Sequence, residues 1–400
     1  IGDVNGDRLP DVYLVSKDSR NSLYINEGDF TFVDRTAMAG VGGRDGFGSG
    51  ASFVDIDNDG DLDLYACYVG SSNQLFVNDG KGVFAERSAA WGLDIDTGTN
   101  MPSFADMDLD GDLDLYLQCN FLASANMPEG LPDRLLENEG ERFKDVTVDA
   151  GINGRGQGHA AIWWDYNEDG FPDIYVANDF EPTDKLYRNN GDGTFEDVIE
   201  KTLVSSPYFG MGADLGDINN DGHIDFIVAD MATPDHVKHH TSVGTQESYL
   251  LDISKSKISQ YMKNMLSVKI GPDQFFEIAH LTGLEATGWT WAARLADLDN
   301  DGLLDAYFTN GMVREFHNAD LAARLSRAST VRQRILNHEN GPMLVERNLS
   351  FRNEGDFSFV PTSADWGLDL AGISFAAAFA DFDLDGDLDL LINNLNDAPV

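Results

Sequence analysis

Hydrophobic positions along this chain come in short runs rather than long amphipathic stretches. DLYACYV from Asp63, DIYVANDF from Asp173, DFIVADM from Asp225 and DLLINNL from Asp389 are apolar, β-branched and aromatic, and they read as β-strands. Before them, across an acidic stretch, lies a strand of small residues: GFGSGASFVD from Gly46, TGTNMPSFAD from Thr97, GQGHAAIWWD from Gly156, FGMGADLGD from Phe209, GWTWAARLAD from Gly288 and ISFAAAFAD from Ile373. Small side chains suit a crowded inner strand. After the apolar run comes a hairpin: LYINEGDFTF from Leu23, LFVNDGKGVF from Leu75, LLENEGERF from Leu135, LYRNNGDGTF from Leu186 and LSFRNEGDFSF from Leu349, with a degraded copy, LSVKIGPDQFF, from Leu266. Asn and Gly at such turns allow the positive φ of tight hairpins. The acidic stretches start 52, 51, 59, 52, 80 and 84 residues apart. A period near fifty residues marks a repeat architecture. Four strands per unit and seven units predict an all-β, seven-bladed β-propeller of four-stranded blades, over residues 1–400 as one domain. The first unit lacks its first strand and the seventh its last two, so the chain reads as a piece cut from a longer one.

Units five and six are the long ones. Their insertions, about 231–266 and 312–345, follow the second strand, on the face away from the acidic stretches. Apolar residues at Tyr249, Leu250, Ile253, Ile258, Tyr261, Met262, Met265 and Leu266, and at Leu321, Leu325, Val331, Ile335 and Leu336, are close to helical spacing. Helical insertions are therefore expected in blades five and six.

The acidic stretches follow Asp-x-Asp/Asn-x-Asp-Gly-x-x-Asp, with Arg8 at the glycine place of the first copy. Calcium takes about 6–8 oxygen ligands. Carboxylates at positions 1, 3 and 5 can curl round one ion, glycine at 6 permits the turn, the carbonyl of 7 faces inward and Asp at 9 closes the cage. The candidate ligands are Asp3, Asn5, Asp7, Leu9 and Asp11; Asp55, Asp57, Asp59, Asp61 and Asp63; Asp106, Asp108, Asp110, Asp112 and Asp114; Asp165, Asn167, Asp169, Phe171 and Asp173; Asp217, Asn219, Asp221, His223 and Asp225; Asp297, Asp299, Asp301, Leu303 and Asp305; and Asp381, Asp383, Asp385, Asp387 and Asp389. Up to seven Ca2+ ions are expected. Magnesium, smaller and strictly octahedral, fits less well, and zinc would call for His or Cys. An EF-hand needs a bidentate Glu at position 12, where this chain has Leu14, Ala66, Leu117, Val176, Val228, Phe308 and Ile392.

Net charge is −42, and the seven loops hold 28 Asp and Glu168 of the 69 acidic residues, so metal loops account for much of it. The rest argues against nucleic-acid binding. The insertions differ in sign: residues 231–270 hold five Lys/Arg against three Asp/Glu, and residues 311–350 six against four, leaving −46 elsewhere. Cys67 and Cys119 offer no disulfide framework; buried free thiols are expected, with a single bridge between them as the alternative. No apolar run reaches 18 residues, so no transmembrane helix is expected.

The loop, hairpin and period together resemble the FG-GAP and VCBS repeat propellers, including integrin α-subunits, which carry this calcium loop between the first two strands of a blade. LYRNNGDGTFEDV from Leu186, the stretch from Gly288 to Leu321 and the turns at Ala39, Trp91, Ala150 and Trp366 resemble bacterial proteins related to cartilage acidic protein, often followed by an ASPIC/UnbV domain. Calcium sites of the weak extracellular kind would stay empty in the cytosol, so a secreted, periplasmic or cell-surface adhesion module is expected, and the basic insertions make their face the expected site for a protein or glycan partner, unless they are helices that only cap the propeller. His236, His239 and His240 could form a transition-metal cluster or a solvated loop. His159, Trp163, Trp289 and Trp291 could line a sugar platform at the channel mouth or pack in the core. No catalytic motif appears, so an enzyme is not expected. A calcium-dependent polysaccharide lyase or hydrolase would have to use Arg294 or His159 as its base, and a scaffold for a further C-terminal domain is the third reading.

Overall fold

The computed structural model describes residues 1–400 apart from 18, 121–130, 181, 243–257, 316–317, 331, 334–335, 338–339 and 396. The fold is all-β, and its repeating sheet is the propeller blade: four antiparallel strands paired in chain order. Blade 1 has three, Val12–Leu14, Ser22–Asn26 and Phe32–Asp34. Blade 2 is Phe47–Val54, Asp63–Val69, Gln74–Asn78 and Phe84–Glu86; blade 3 is Thr99–Ala105, Asp114–Cys119, Arg134–Asn138 and Phe143–Asp145. Blade 4 is Gln157–Trp164, Asp173–Asp179, Lys185–Asn189 and Phe195–Asp197. Blade 5 is Ala213–Gly216, Asp225–Val228, Met265–Gly271 and Gln274–Glu277, and blade 6 is Thr290–Ala296, Asp305–Asn310, Leu349–Asn353 and Phe359–Pro361. Among the described residues the structure thus has six blades, not the seven expected. The seventh repeat gives only the pair Ser374–Ala380 and Asp389–Asn394, and a two-stranded pair leaves an edge unfilled and is not a blade.

Contacts divide the chain into two compact units. The first comprises Ile1–Leu203, Gly271–Gln274 and Phe379–Asp389, and the second Val204–Ile270, Phe275–Ala378 and Leu390–Val400. In the first unit, apolar clusters lie between successive blades: Leu23, Leu64, Tyr68 and Phe76 between blades 1 and 2, Tyr65, Leu75, Leu115 and Leu117 between 2 and 3, and Tyr116, Leu135, Ile174 and Val176 between 3 and 4. In the second, Ile227, Leu266, Ala293 and Phe308 share one core. The second strands of blades 2 to 6 are buried on both faces almost throughout, which is why they read as continuous apolar runs rather than alternating ones. Position 12 of every loop falls inside that strand, away from any metal.

The small residues of the first strands have a steric cause. A Cβ on Gly50 would lie 2.1 Å from the Asn100 carbonyl oxygen of the next blade, and one on Gly212 would lie 2.7 Å from the Trp291 carbonyl oxygen. Inner strands approach too closely for side chains there.

The helical expectation holds only in part. Within the insertions the described helices are His236–Ser242 and Ala319–Arg327. The latter is capped by Asn318, whose side chain accepts from Leu321 N, and it buries Leu321. Of the segment from 248 to 266, residues 248–257 lie outside the described residues, and the rest is not helical. Ser259–Tyr261 pairs in parallel with Ser205–Pro207, and Met265–Gly271 is the third strand of blade 5. Pairing with a neighbouring strand overrides helical spacing here, because the same apolar residues also fit a sheet buried on both faces. Each insertion leaves the end of its second strand opposite the loop that enters it.

Candidate metal centres

Each acidic loop folds on its own side chains. The first Asp accepts from the backbone N–H of positions 5 and 6, as Asp55 does from Asp59 and Gly60 at 3.2 and 3.1 Å and Asp217 from Asp221 and Gly222 at 3.0 and 2.8 Å. The fifth-position Asp accepts from the N–H of position 7, as in Asp61 N to Asp59 at 3.1 Å. The glycines at position 6 sit at φ from 87 to 99°, and Arg8 takes the same region at 77° in the first loop. Position 4 is also left-handed, at Asn58, Leu109, Glu168, Asn220, Asn300 and Leu384, which the sequence reading did not anticipate.

The ninth-position Asp does more than close a cage. One carboxylate oxygen accepts from the N–H of position 2 in all seven loops, at 2.9–3.1 Å. The other accepts at 2.7–2.9 Å from the N–H of Asn26, Asn78, Asn138, Asn189, Lys269 or Asn353, at the end of the third strand of the same blade. The Asn side chains then reach backwards. Asn78 Nδ2 donates to Val4 O (2.8 Å), Asn189 to Met107 O (2.7 Å), Asn353 to Ile218 O (2.9 Å) and Asn26 to Phe382 O (2.8 Å), each at position 2 of another repeat's loop. These asparagines are not at positive φ: they are buried clasps tying one blade to the loop of another repeat. The signal was the same Asn recurring at one place in five hairpins, more often than turn chemistry requires.

The structure gathers carboxylates in four loops. Asp55, Asp57 and Asp63; Asp106, Asp108 and Asp114; Asp297, Asp299 and Asp305; and Asp381, Asp383 and Asp385 each offer oxygens within 4.8 Å of one another. Burial and neighbouring carboxylates push Asp57 up, Asp61 to about 6, and Asp108 and Asp383 up. Burial above all raises Asp63 and Asp114 to about 7 and Asp305 to about 6. Like charges packed this tightly disfavour ionisation, which a cation would reverse. Asp61 Oδ1 and Asp299 Oδ1 are buried without a hydrogen-bond donor. An all-oxygen set with orphaned acceptors fits a hard divalent cation. In the first, fourth and fifth loops the third-position amide is turned onto the fifth-position carboxylate instead: Asn5 Nδ2 to Asp7, Asn167 to Asp169 and Asn219 to Asp221, at 2.9, 2.9 and 3.0 Å. The sixth loop holds a cation of its own. Arg352 Nε lies 2.7 Å from Asp299 Oδ2 and its terminal nitrogen 3.1 Å from Asp301 Oδ2, which holds the Asp301 carboxyl low together with the Leu303 N–H.

Residues 3–66, 55–117 and 165–228 match the FG-GAP-like repeat, each match running from the first Asp of one loop to three residues past the last Asp of the next. The chain carries FG-GAP-like repeats. It is 26% identical over 273 residues to human cartilage acidic protein 1 and 25% over 273 to the mouse protein, covering 66% of this chain in both cases. The match spans about a third of the length of those relatives, 33% and 34%. Among solved structures, an Agrocybe aegerita lectin recognising non-reducing terminal N-acetylglucosamine is similar at TM-score 0.46 and 14% identity, covering 98% of this chain and 87% of that one. The V. cholerae biofilm matrix protein Bap1 is similar at TM-score 0.38 and 10% identity, covering 98% and 76%. Both scores lie below 0.5, and neither likeness bears on what this chain binds.

The other candidates are placed as follows. Trp163 donates from Nε1 to Ser103 O (3.1 Å) and packs edge-on against Tyr116 and Phe195. Trp291 donates to Gly311 O (2.6 Å) and lies against Phe375, and Trp289 is buried. These rings pack inward rather than forming an open platform. Arg294 is held by three carbonyl oxygens, of Ala377, Ala213 and Ala293. His159 Nε2 lies 4.0 Å from Asp179 Oδ2 and 3.3 Å from Asn120 Nδ2, and burial lowers its pKa to about 4. His236 and His239 lie on the helix His236–Ser242, and neither joins a metal-type cluster among the described residues. Cys67 and Cys119 are free and buried, and burial lifts both thiols to about 12. No described helix is long and apolar enough to cross a membrane.

Proposed function

We propose that the loops bind calcium and that the chain is a calcium-stabilised extracellular recognition module, presenting a protein- or glycan-binding surface on the insertions of blades 5 and 6. The observation that carries this reading is the gathering of three carboxylates within 4.8 Å in each of four loops, with an arginine paired to one of them, the sixth, among the described residues. The aspartates at positions 1, 3, 5 and 9 would hold the ion. It would supply charge neutralisation to loops that the clasping asparagines tie together from blade to blade. Extracellular calcium modules bind at about 10⁻⁴–10⁻³ M, weaker than cytosolic calcium could fill, which supports an extracytoplasmic setting. The net positive insertions on an acidic chain support a recognition role for that face. Arg294, spent on carbonyl oxygens, favours binding over polysaccharide cleavage.

At about ten times Kd each ion adds roughly 1.4 kcal/mol, or about 6 kcal/mol over the four carboxylate clusters. Chelation with EDTA is expected to lower the melting temperature by roughly seven degrees. A melting curve indifferent to EDTA and to added calcium would sink the calcium reading.

A further inference from the structure

Where blade 5 turns away from its loop, the second unit holds a cavity of about 550 Å³, within the ~300–1,000 Å³ of small-molecule sites. We propose that this cavity binds a neutral pyranose residue, an inference that rests on the recognition reading above and gives it a site.

Its walls come from three separate parts of the chain: Pro234 beyond the second strand, Tyr261, Met262 and Lys263 before the third, and His280 and Glu285 after the fourth. Tyr261 offers an aromatic face, being 50% exposed. Its backbone is fixed, since Tyr261 O accepts from Tyr208 N at 3.0 Å and Lys263 N at 2.9 Å. Lys263 is held by an ion pair with Glu277. Glu285 has its carbonyl tied to Asn264 N (2.9 Å) and Oε1 3.7 Å from His280 Nδ1, while Oε2 is buried with no hydrogen-bond donor. A buried acceptor without a donor costs about 1–3 kcal/mol and is a place for a ligand hydroxyl.

The charges decide the class. Lys263 is already paired with Glu277, which leaves Glu285 as the uncompensated charge among the lining groups, so an anionic ligand would meet Glu285 and an ammonium would meet Lys263. A sugar ring fits both halves of the site: its C–H face lies on Tyr261 and its hydroxyls donate to Glu285 and accept from Lys263.

The test is saturation-transfer NMR on the calcium-loaded chain, with methyl glycosides of glucose, galactose, mannose, fucose and N-acetylglucosamine, and methyl glucuronide as the charged arm. At least one neutral glycoside is expected to show transfer. Tyr261→Ala should abolish it, Tyr261→Trp should keep it, and Glu285→Gln should weaken binding about tenfold or more, since an amide accepts less well than a carboxylate. Melting temperatures of these variants should match the parent, as Tyr261 is half exposed. No transfer from any neutral glycoside, or from the glucuronide alone, overturns the proposal. Transfer that persists in both Tyr261→Ala and Glu285→Gln overturns this site while leaving glycan recognition standing. Binding here in a chain whose melting ignores EDTA would sink the calcium reading and leave the cavity intact.

Discussion

Removing one clasp isolates the main structural idea. Asn189 is buried; its Nδ2 donates to Met107 O at 2.7 Å and to Pro172 O at 3.2 Å, and its Oδ1 accepts from Gly191 N at 3.0 Å. Asn189→Ala removes three hydrogen bonds and leaves the Met107 carbonyl, at position 2 of the third loop, without its partner. A net loss near 1 kcal/mol per bond and about 1–3 kcal/mol for an orphaned buried acceptor predict about 4–6 kcal/mol of destabilisation. The Asp173 tie is spared, because it uses the Asn189 backbone N–H. The effect should be read by urea unfolding of the calcium-loaded chain, followed by tryptophan fluorescence. The variant should also bind calcium more weakly, since the third loop loses its external brace. A shift in midpoint equivalent to less than 1 kcal/mol, with calcium affinity unchanged, would refute the clasp.

Three further outcomes are expected. Gly50→Ala, whose Cβ would stand 2.1 Å from the Asn100 carbonyl oxygen, should cost about 1–3 kcal/mol or more, read as a drop in melting temperature. Arg352→Gln frees Asp299 and Asp301 and should tighten calcium binding at the sixth loop by roughly two- to fivefold in calorimetric titration, whereas Arg188→Gln, whose partner is Glu196, should not. His159 titrates near 4 when folded and near 6.5 when unfolded, so below about pH 6.5 the unfolded chain takes a proton that the native one refuses. Its contribution is therefore present above pH 6.5 and lost as pH falls towards 4. Asp179, raised by burial, acts in the opposite sense. Melting temperature against pH should fall less steeply between 6.5 and 4 in His159→Gln than in the parent, and equal slopes would contradict the assignment.

Local chemistry was legible in the residues alone. Aspartate spacing folds each loop through side-chain-to-backbone bonds only two to five residues long, so it is written in nine residues. The second strands and hairpins were equally legible, and position 12 alone excluded an EF-hand. What needed the tertiary structure were features made by residues far apart in the chain. The number of blades turned on how many strands find partners, and the last two, Ser374–Ala380 and Asp389–Asn394, are joined by no third strand, only by backbone bonds exchanged between Ile392 and Val400. The stretch before Met265 became strand because sheet edges were there to receive it. Asn189 looks like a turn residue until Met107, 82 residues earlier, is set beside it. The same holds for Arg352 against Asp299 and Asp301, and for a cavity assembled from residues 232–234, 261–263 and 280–286. Periodicity records which face of an element is apolar, but long-range pairing decides what that face meets.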